Sequence, residues 1–477
     1  MTVTGTAADN TGISAVWCRA NSQPWVKADG TTSWTASLTL EPGANTVQAY
    51  AVDLAGNDST TASASVTYVV SDQLGLSVTG QGTLTPNYQN AVLEVGKTYK
   101  LTAKPAIGQI FSHWEDETGT ILSRNAALTF TMRNDLQLKA VFVPNPFIPT
   151  KGSYAGLAFN PGAASHANSG LFTATVTDKG KLTSKLLWAG ATHSLSGQLA
   201  GDGSFSNAVV RKGLSPLTVE LQLSLNGERK LTGTIRDGTV TSELLANQLI
   251  YSAASPAPLG NRKFTFVIPG AEDSAARPGG YGYGTISITA AGAATLGGVL
   301  GDGTKFTQKT FVSKDGTLPF YVALYAAKGS ILGWLSLAGS GASSDVTGTL
   351  RWTKTAGSAG LYPSGFSFPE GLEVTGSLFA STSPMLNWTS GYVALELGGL
   401  TGDITNYFTV AANKVTGTNK MALTLVTSTG LFKGNVVNPA TGRPLPVNGV
   451  VLQNQGLGYG YFAGTGQTGR VRVAPQN

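Results

Sequence analysis

The amino-acid sequence predicts an all-β fold made of several modules. Polar and apolar residues alternate with a period of two, most clearly over residues 217–225, where every second side chain is apolar and would lie on one strand face. Glycine accounts for 61 of 477 residues and charged residues for only 12%, which favours short strands joined by tight turns. No window long enough for a stable helix is free of glycine, proline or dense threonine and serine, so we expect few and short helices.

Length, charge and cysteine content bound the class of protein. A chain of 477 residues predicts about three or four domains, and no apolar run is long enough for a transmembrane helix. The first five residues lack a secretory signal pattern, so either a leader has been removed or the chain is part of a longer polypeptide, and we favour the second. The basic residues behind the net charge of +6 are dispersed, which argues against nucleic-acid binding. The single cysteine, Cys18, excludes an internal disulfide or a multi-cysteine zinc site, and we expect it to pack within a strand.

Residues 1–70 have the turn spacing of a β-sandwich. Turn signals separate the short strands at residues 9–12, 29–30, 42–45 and 55–58. Trp34 precedes LTL at 38–40, and AYAVD at 49–53 is followed by AGN at 55–57. The segment therefore resembles a bacterial Ig-like domain, and the resemblance implies a sandwich that commonly acts as a spacer.

Residues 71–146 contain a second set of strand patterns. They occur at 80–84 (GQGTL), 96–99 (GKTY), 111–114 (FSHW), 130–132 (FTM) and 138–142 (LKAVF). This order resembles the divergent internalin-type B-repeat, a small β-rich module of bacterial surface proteins. We expect Phe111 and Trp114 to be core residues of this module, with an exposed contact role as the alternative. Residues 145–149 (NPFIP) then predict a short, stiff connector.

Residues 150–477 are predicted to form an internally repeated antiparallel β-barrel region. Similar patterns recur at an offset of roughly 100 residues, as at 195–205 and 296–306, with a partial third copy over 429–462. Asp-Gly turns and the lack of helices to cover an open sheet predict one or two barrels or barrel-like sandwiches, with strands shared across 256–258 as one arrangement. The region resembles the C-terminal parts of large secreted verrucomicrobial and planctomycete proteins, a resemblance that implies no activity. An outer-membrane barrel is the weaker alternative, because lipid-facing bands with aromatic girdles are hard to trace.

Residues that could carry chemistry are few and scattered. His113, His166 and His193 lack the spacing of metal ligands. The carboxylates of residues 115–117 are adjacent in a strand-to-turn segment and point in different directions, so we interpret them as a solvated turn and not as a glycosidase pair. No serine nucleophile elbow or phosphate-binding loop occurs in the strand, turn and helix context that it requires. We therefore expect no catalytic residue, no metal site and no cofactor.

Calcium binding is left open for the first module. Asp9, Asn10, Asp53, Asn57 and Asp58 carry oxygen ligands in loops that could share one end of the sandwich. Asp and Asn side chains also cap turns through their own backbone, which is the alternative interpretation.

Two Gly-Tyr segments provide the candidate ligand contacts. Tyr281 with Tyr283, and Tyr459 with Tyr461, alternate with glycine, so each pair would occupy one face of a strand. Such an aromatic strip could stack on sugar rings or meet a protein partner. Packing under a neighbouring loop is the structural alternative, and glycine would permit another sheet to approach closely.

Together these features predict a non-catalytic structural or adhesive protein that is secreted or held at the cell surface, as part of a larger polypeptide or assembly. The expected partners are other surface proteins or extracellular polysaccharide, and neither nucleic acid nor a transmembrane helix is expected. The alternatives are a carbohydrate-binding accessory region of a secreted enzyme, and an enzyme whose catalytic acids meet only in the fold. The oligomeric state is left open.

Overall fold

A computed structural model describes residues 1–338, 344–381 and 384–476. The chain divides into two compact units, Met1–Asn145 and Pro146–Asn477. Within the described residues every regular element is a β-strand except one 3-10 turn at His166–Asn168, which confirms the predicted all-β class. In this part of the chain no helix has the length and apolar character needed to cross a membrane. The predicted region 150–477 includes a few positions outside the described residues, at 339–343, 382–383 and 477.

The first part of unit 1 contains the strands β1 (Thr2–Thr6), β2 (Ile13–Ala20), β3 (Val26–Lys27), β4 (Asp29–Gly30), β5 (Ser33–Ser37), β6 (Gly43–Asp53) and β7 (Ala62–Tyr68). They form a three-stranded sheet, in the order β1-β5-β4, and a four-stranded sheet, in the order β3-β2-β6-β7. Val16 and Cys18 of β2 and Val47 of β6 belong to the buried core of this part. Burial raises the pKa of the Cys18 thiol, as expected for a packed cysteine. The resemblance to an Ig-like domain stays a prediction.

The second part of unit 1 contains β8 (Ser71–Gln73), β9 (Gly75–Thr79), β10 (Gly82–Thr85), β11 (Val92–Glu94), β12 (Thr98–Pro105), β13 (Gln109–Glu115), β14 (Ile121–Ser123), β15 (Ala127–Thr131) and β16 (Gln137–Pro144). Its sheets have the orders β10-β12-β15, β14-β13-β16-β9 and β11-β8. The last strand, β16, runs parallel to β9, so strands from the two ends of the segment pair. Trp114 is fully buried and donates its indole N–H to the Ala126 carbonyl at 3.3 Å, while Phe111 packs beside it.

Unit 2 contains three sheets that follow one another along the chain. The first consists of β17 (Gly152–Phe159), β18 (Ser169–Val176), β19 (Lys181–Trp188), β20 (Ala191–Gln198), β21 (Ser204–Arg211), β22 (Leu214–Leu223), β23 (Lys230–Asp237) and β24 (Val240–Gln248). Its first strand pairs with its last, Leu157 opposite Leu245, and the ladder is broken between β20 and β21. The sheet is thus a nearly closed barrel, filled by buried apolar side chains such as Phe172 and Leu186.

The other two sheets repeat this plan. The second consists of β25 (Lys263–Ile268), β26 (Gly282–Ile288), β27 (Ala293–Val299), β28 (Lys305–Phe311), β29 (Thr317–Leu324), β30 (Gly329–Leu337), β31 (Val346–Lys354), β32 (Phe366–Ser367) and β33 (Leu372–Phe379). The third consists of β34 (Ser390–Leu397), β35 (Ile404–Ala411), β36 (Lys414–Gly417), β37 (Ala422–Val426), β38 (Leu431–Val437), β39 (Pro444–Leu452), β40 (Leu457–Ala463) and β41 (Thr468–Pro475). Again the first and last strands pair, β25 with β33 and β34 with β41. We call the three sheets the first, second and third barrels.

The structure has three barrels where the sequence predicts one or two. The hairpins that correspond in the first and second barrels are also not the ones that the sequence repeat aligns. An offset of roughly 100 residues aligns Gly203 with Gly303. In the first barrel the Gly203 carbonyl accepts the N–H of Leu223 at 2.9 Å, and the matching carbonyl of the second barrel is that of Gly316, which accepts the N–H of Leu337 at 2.9 Å. The Gly303 turn lies one hairpin earlier. Turn signals recur at many hairpins, so local similarity does not fix the alignment of one barrel on the next.

Two segments that the sequence analysis singled out, the connector 145–149 and the segment 256–258, contain residues packed against the barrels of unit 2. Phe147, within the predicted connector 145–149, is buried in the core of the first barrel. The strand sharing predicted across 256–258 does not occur, because β24 and β25 belong to different sheets. Instead, Ala257 donates its N–H to the Ala290 carbonyl of the second barrel at 2.8 Å.

Candidate functional site

The four tyrosines predicted as ligand contacts meet at the junction of the second and third barrels. Tyr281 precedes β26 and Tyr283 lies on it, while Tyr459 and Tyr461 lie on β40. The rings of Tyr281 and Tyr459 are 5.4 Å apart at 87°, and those of Tyr283 and Tyr461 are 6.3 Å apart at 26°. Tyr283 is only 7% exposed, and the other three are half-buried. Two segments that look like copies of one motif are therefore packed against each other.

Glycine makes this approach possible. A Cβ atom on Gly280 would lie 2.6 Å from the Cβ of Tyr461, closer than van der Waals contact allows. The backbones are also joined, because the N–H of Tyr281 donates to the Gly460 carbonyl at 3.1 Å. Burial raises the pKa of Tyr283 to about 12, since the phenolate would lose its hydration there.

This packing differs from the solvent-facing strip that sugar stacking requires, because the ring faces contact other protein rings. The geometry agrees better with the alternative interpretation, in which the tyrosines pack inside the protein. The element that covers them is a neighbouring barrel and not a loop. Arg470 of β41 borders the cluster, with its guanidinium 3.4 Å from the Tyr281 hydroxyl and 3.0 Å from the Glu272 carboxylate. The ligand-contact role predicted for these residues gains no support from their position.

The acidic segment at the end of β13 serves its own sheet and turn. Glu115 pairs with Lys139 at 2.8 Å and with His113 at 3.0 Å. These hydrogen bonds, that of Lys139 first, hold the pKa of Glu115 below its usual range. Asp116 accepts the backbone N–H of Thr118 at 2.9 Å, which lies in the following turn. The predicted turn begins at Asp116, whereas Glu115 lies on β13 and its side chain is only 15% exposed. Among the described residues, the side chains paired with Glu115 are those of Lys139 and His113 and not a second acid.

The acidic loops considered for calcium fold onto their own backbones. Asp9 accepts the N–H and hydroxyl of Thr11 at 2.7 and 2.6 Å, and Asp53 accepts the N–H and side-chain amide of Asn57 at 2.8 and 2.9 Å. These hydrogen bonds lower the pKa of both carboxyl groups. Across the part of the chain that the structure describes, no group of three or more His, Cys, Asp or Glu could hold a metal ion. Turn capping accounts for both loops.

A polar network closes one end of the second barrel. The Tyr325 hydroxyl donates to Asp302 at 2.6 Å and accepts the indole N–H of Trp352 at 3.1 Å. The Lys354 ammonium lies 4.8 Å from the centre of the Tyr325 ring and donates to the Ala359 carbonyl at 2.9 Å. Burial raises the pKa of Tyr325 well above its usual range and lowers that of Lys354. Perturbed groups of this kind mark functional sites or structural networks, and here each group is already bonded within the barrel.

A crevice that sequence reasoning missed, lined by both polar and apolar side chains, lies between the first and second barrels. It encloses about 400 Å³ between the outer faces of β17–β19 and of β28. Lys185 on β19 and Lys309 on β28 line it from opposite sides, and both occupy exposed positions of their strands. Period-two alternation could have assigned each lysine to an outer face. It could not show that these two faces belong to neighbouring barrels that meet.

One module matches a known family model. Residues 73–146 match the family model of the divergent InlB B-repeat domain. The match supports the predicted resemblance of 71–146 and covers the parallel β9–β16 pair and the buried Trp114. We call this segment the B-repeat-like module. No curated protein matches the chain.

Two solved structures resemble the chain only weakly. One is a protein of unknown function from the DUF3598 family of Nostoc punctiforme, 9% identical, with 69% of this chain and 96% of that chain covered and a TM-score of 0.16. The other is the SapL1 lectin in complex with alpha-methyl fucoside, 11% identical, with 67% and 93% covered and a TM-score of 0.14. Scores this low assign neither a fold nor a ligand to this chain.

Proposed function

We propose that this chain is a non-catalytic structural or adhesive part of a bacterial protein that is secreted or held at the cell surface. The observation that carries the proposal is the series of β-modules along the chain, of which one matches the B-repeat family and three are successive barrels. The B-repeat family is usually surface-associated. Modules in series suit a part that displays or spaces binding surfaces, because each contributes its own core and outer face.

The contacts between barrels support a structural role. The second and third barrels share the tyrosine cluster, and the Thr265 hydroxyl donates to the Val451 carbonyl between them at 2.8 Å. The first and second barrels share a smaller apolar cluster that includes Leu157, Tyr321 and Leu332. Apolar burial of this kind holds neighbouring modules together, so the outer faces of the three barrels keep fixed positions relative to one another.

The partners of the titratable groups support a non-catalytic role. A general acid or base must reach a substrate proton, whereas Glu115 is bonded to Lys139 and His113, and Tyr325 to Asp302. Each of these groups is engaged by the protein itself. Their role is therefore to stabilise the fold.

A retention assay tests the proposal. The purified chain is mixed with insoluble envelope fractions of bacterial cells, the chain in the pellet is measured, and each mixture is assayed for newly formed reducing ends, amines and phosphate. We expect retention without product formation. Products above the level of a heat-unfolded sample would contradict the non-catalytic assignment, and a chain that neither pellets with any fraction nor self-associates in sedimentation would contradict the structural or adhesive one.

One feature favours carbohydrate binding as the second candidate function. The crevice between the first and second barrels carries hydroxyl and ammonium groups that could bind a polysaccharide. A carbohydrate-binding accessory region of a secreted enzyme would need such a site. Retention on polysaccharide alone, with no retention on envelope protein, would favour this candidate.

A further inference from the structure

The crevice between the first and second barrels differs in charge from an ordinary surface depression. Among the residues that the structure describes, its lining contains Lys185 and Lys309 and no aspartate or glutamate. Within the described residues neither lysine takes part in an ion pair. Two ammonium groups without a carboxylate partner leave the crevice with a positive potential, which attracts an anionic ligand.

Hydroxyl groups line the same crevice. Thr173 and Thr175 on β18 and Thr183 on β19 are exposed, and the strand register places Thr173 opposite Lys185 and Thr175 opposite Thr183. Hydroxyls both donate and accept hydrogen bonds, so they match the hydroxyls of a sugar ring.

The crevice also has an apolar wall. Leu171 and Phe311 line it and are half-buried, so each presents an apolar surface at the edge of the polar groups. The volume of about 400 Å³ falls within the size range of sites for small ligands. The two cationic groups of the lining are lysines, whose ammonium groups bind carboxylates as point charges, and the surrounding hydroxyls match those of an acidic sugar.

We propose that this crevice binds an anionic polysaccharide of the uronate class. Lys185 and Lys309 bind the carboxylates, the threonine hydroxyls bind ring hydroxyls, and Leu171 and Phe311 contact the apolar face of a sugar. The assignment names a ligand that both the adhesive role and its carbohydrate-binding alternative allow, and it therefore rests on the proposed function.

The test uses the full chain and short oligomers of polygalacturonate in titration calorimetry, with dextran oligomers of equal length as the neutral probe. The charge variant is Lys185→Gln with Lys309→Gln. The matched control is Lys100→Gln with Lys104→Gln, which removes two exposed charges from one strand of unit 1. We expect the charge variant to weaken polygalacturonate binding roughly tenfold, the effect of losing two exposed charge pairs, and the control to bind as the unaltered chain does.

A further variant, Thr173→Val with Thr183→Val, keeps the charge and the strand shape, and we expect it to weaken binding as well. Three results would overturn the proposal: no heat of binding with polygalacturonate, equal binding of dextran, or equal losses in the charge variant and the control. The envelope retention assay separates this failure from that of the proposed function. Retention that persists without polyuronate binding leaves the adhesive role intact and rejects only the crevice.

Discussion

Tyr283→Ala should loosen the second and third barrels together. Tyr283 is 7% exposed and stacks on Tyr461 with 6.3 Å between ring centres, although the two lie on strands of different barrels. Removing the ring takes away contacts on both sides of the junction. If the tyrosine cluster holds the barrels together, the loss should appear in both.

The expected cost is about 3 kcal/mol, the lower end of the range for truncating a buried aromatic side chain. Of this, about 0.5–1.5 kcal/mol belongs to the pair with Tyr461 and should be absent when Tyr461→Ala is already present. Tyr283→Phe keeps the ring and should cost less than about 1 kcal/mol. A tyrosine hydroxyl is neutral at neutral pH, and burial raises the pKa of Tyr283 further, so losing the hydroxyl removes no charge.

Hydrogen exchange by mass spectrometry measures this directly, because it reports each strand separately in a chain of several modules. Peptides from β26 and from β40 should both lose protection in Tyr283→Ala, by about a hundredfold for 3 kcal/mol. Loss confined to β26 would refute the coupling between barrels. Unchanged protection together with lost polysaccharide binding would refute the packing role and restore the ligand-contact interpretation.

Three further predictions concern the barrel junctions. Burial lowers the pKa of His166, whose ring N–H donates to the Ala327 carbonyl at 2.9 Å. The stabilising contribution of the neutral His166 side chain should be complete above pH 6.5 and should fall as the pH drops through the lowered pKa. Thermal unfolding at a series of pH values should show this step in the unaltered chain and not in His166→Gln. Gly190→Ala should lower the free energy of unfolding, measured with denaturant, by about 1–3 kcal/mol. Gly190 has a φ of +81°, and a Cβ at this position would collide with Ala327. An unchanged free energy of unfolding would contradict this prediction. Arg470→Met should lower the free energy of unfolding by about 1–2 kcal/mol through lost hydrogen bonds and packing. Glu272→Gln should lower it by less than about 1 kcal/mol, because the side chain of Glu272 is 85% exposed. Equal melting-temperature shifts of the two variants would contradict this difference.

Local patterns predicted the parts of the fold that depend on neighbouring residues. The alternation over 217–225 produced the strand β22 with every second side chain buried from Leu217 to Leu223, because side chains alternate between faces at every residue of a strand. Trp114 lies in the core of the B-repeat-like module, as its apolar context predicted. The acidic segment after it begins at Glu115, the last residue of β13, and continues into a turn in which Asp116 accepts the backbone N–H of Thr118.

The candidate site could not be predicted in this way. The alternation of glycine and tyrosine placed Tyr281 and Tyr283 on one face, but it could not show that Tyr459 and Tyr461 would cover that face. The same limit hid the crevice, because Lys185 and Lys309 lie on different barrels. Which distant segments meet depends on how the closed barrels pack against one another, and the local sequence around a residue does not predict this packing.

The sequence by itself determined the all-β class, the resemblance of 71–146 to a B-repeat and which side chains of a strand share a face, since these follow from short-range sterics and period-two burial. Only the tertiary structure decided that three barrels form, that each closes by pairing its first strand with its last, and which outer faces are covered. The physical reason is that barrel closure and docking bury surface between residues far apart in the chain, and that gain depends on the shapes of the assembled modules.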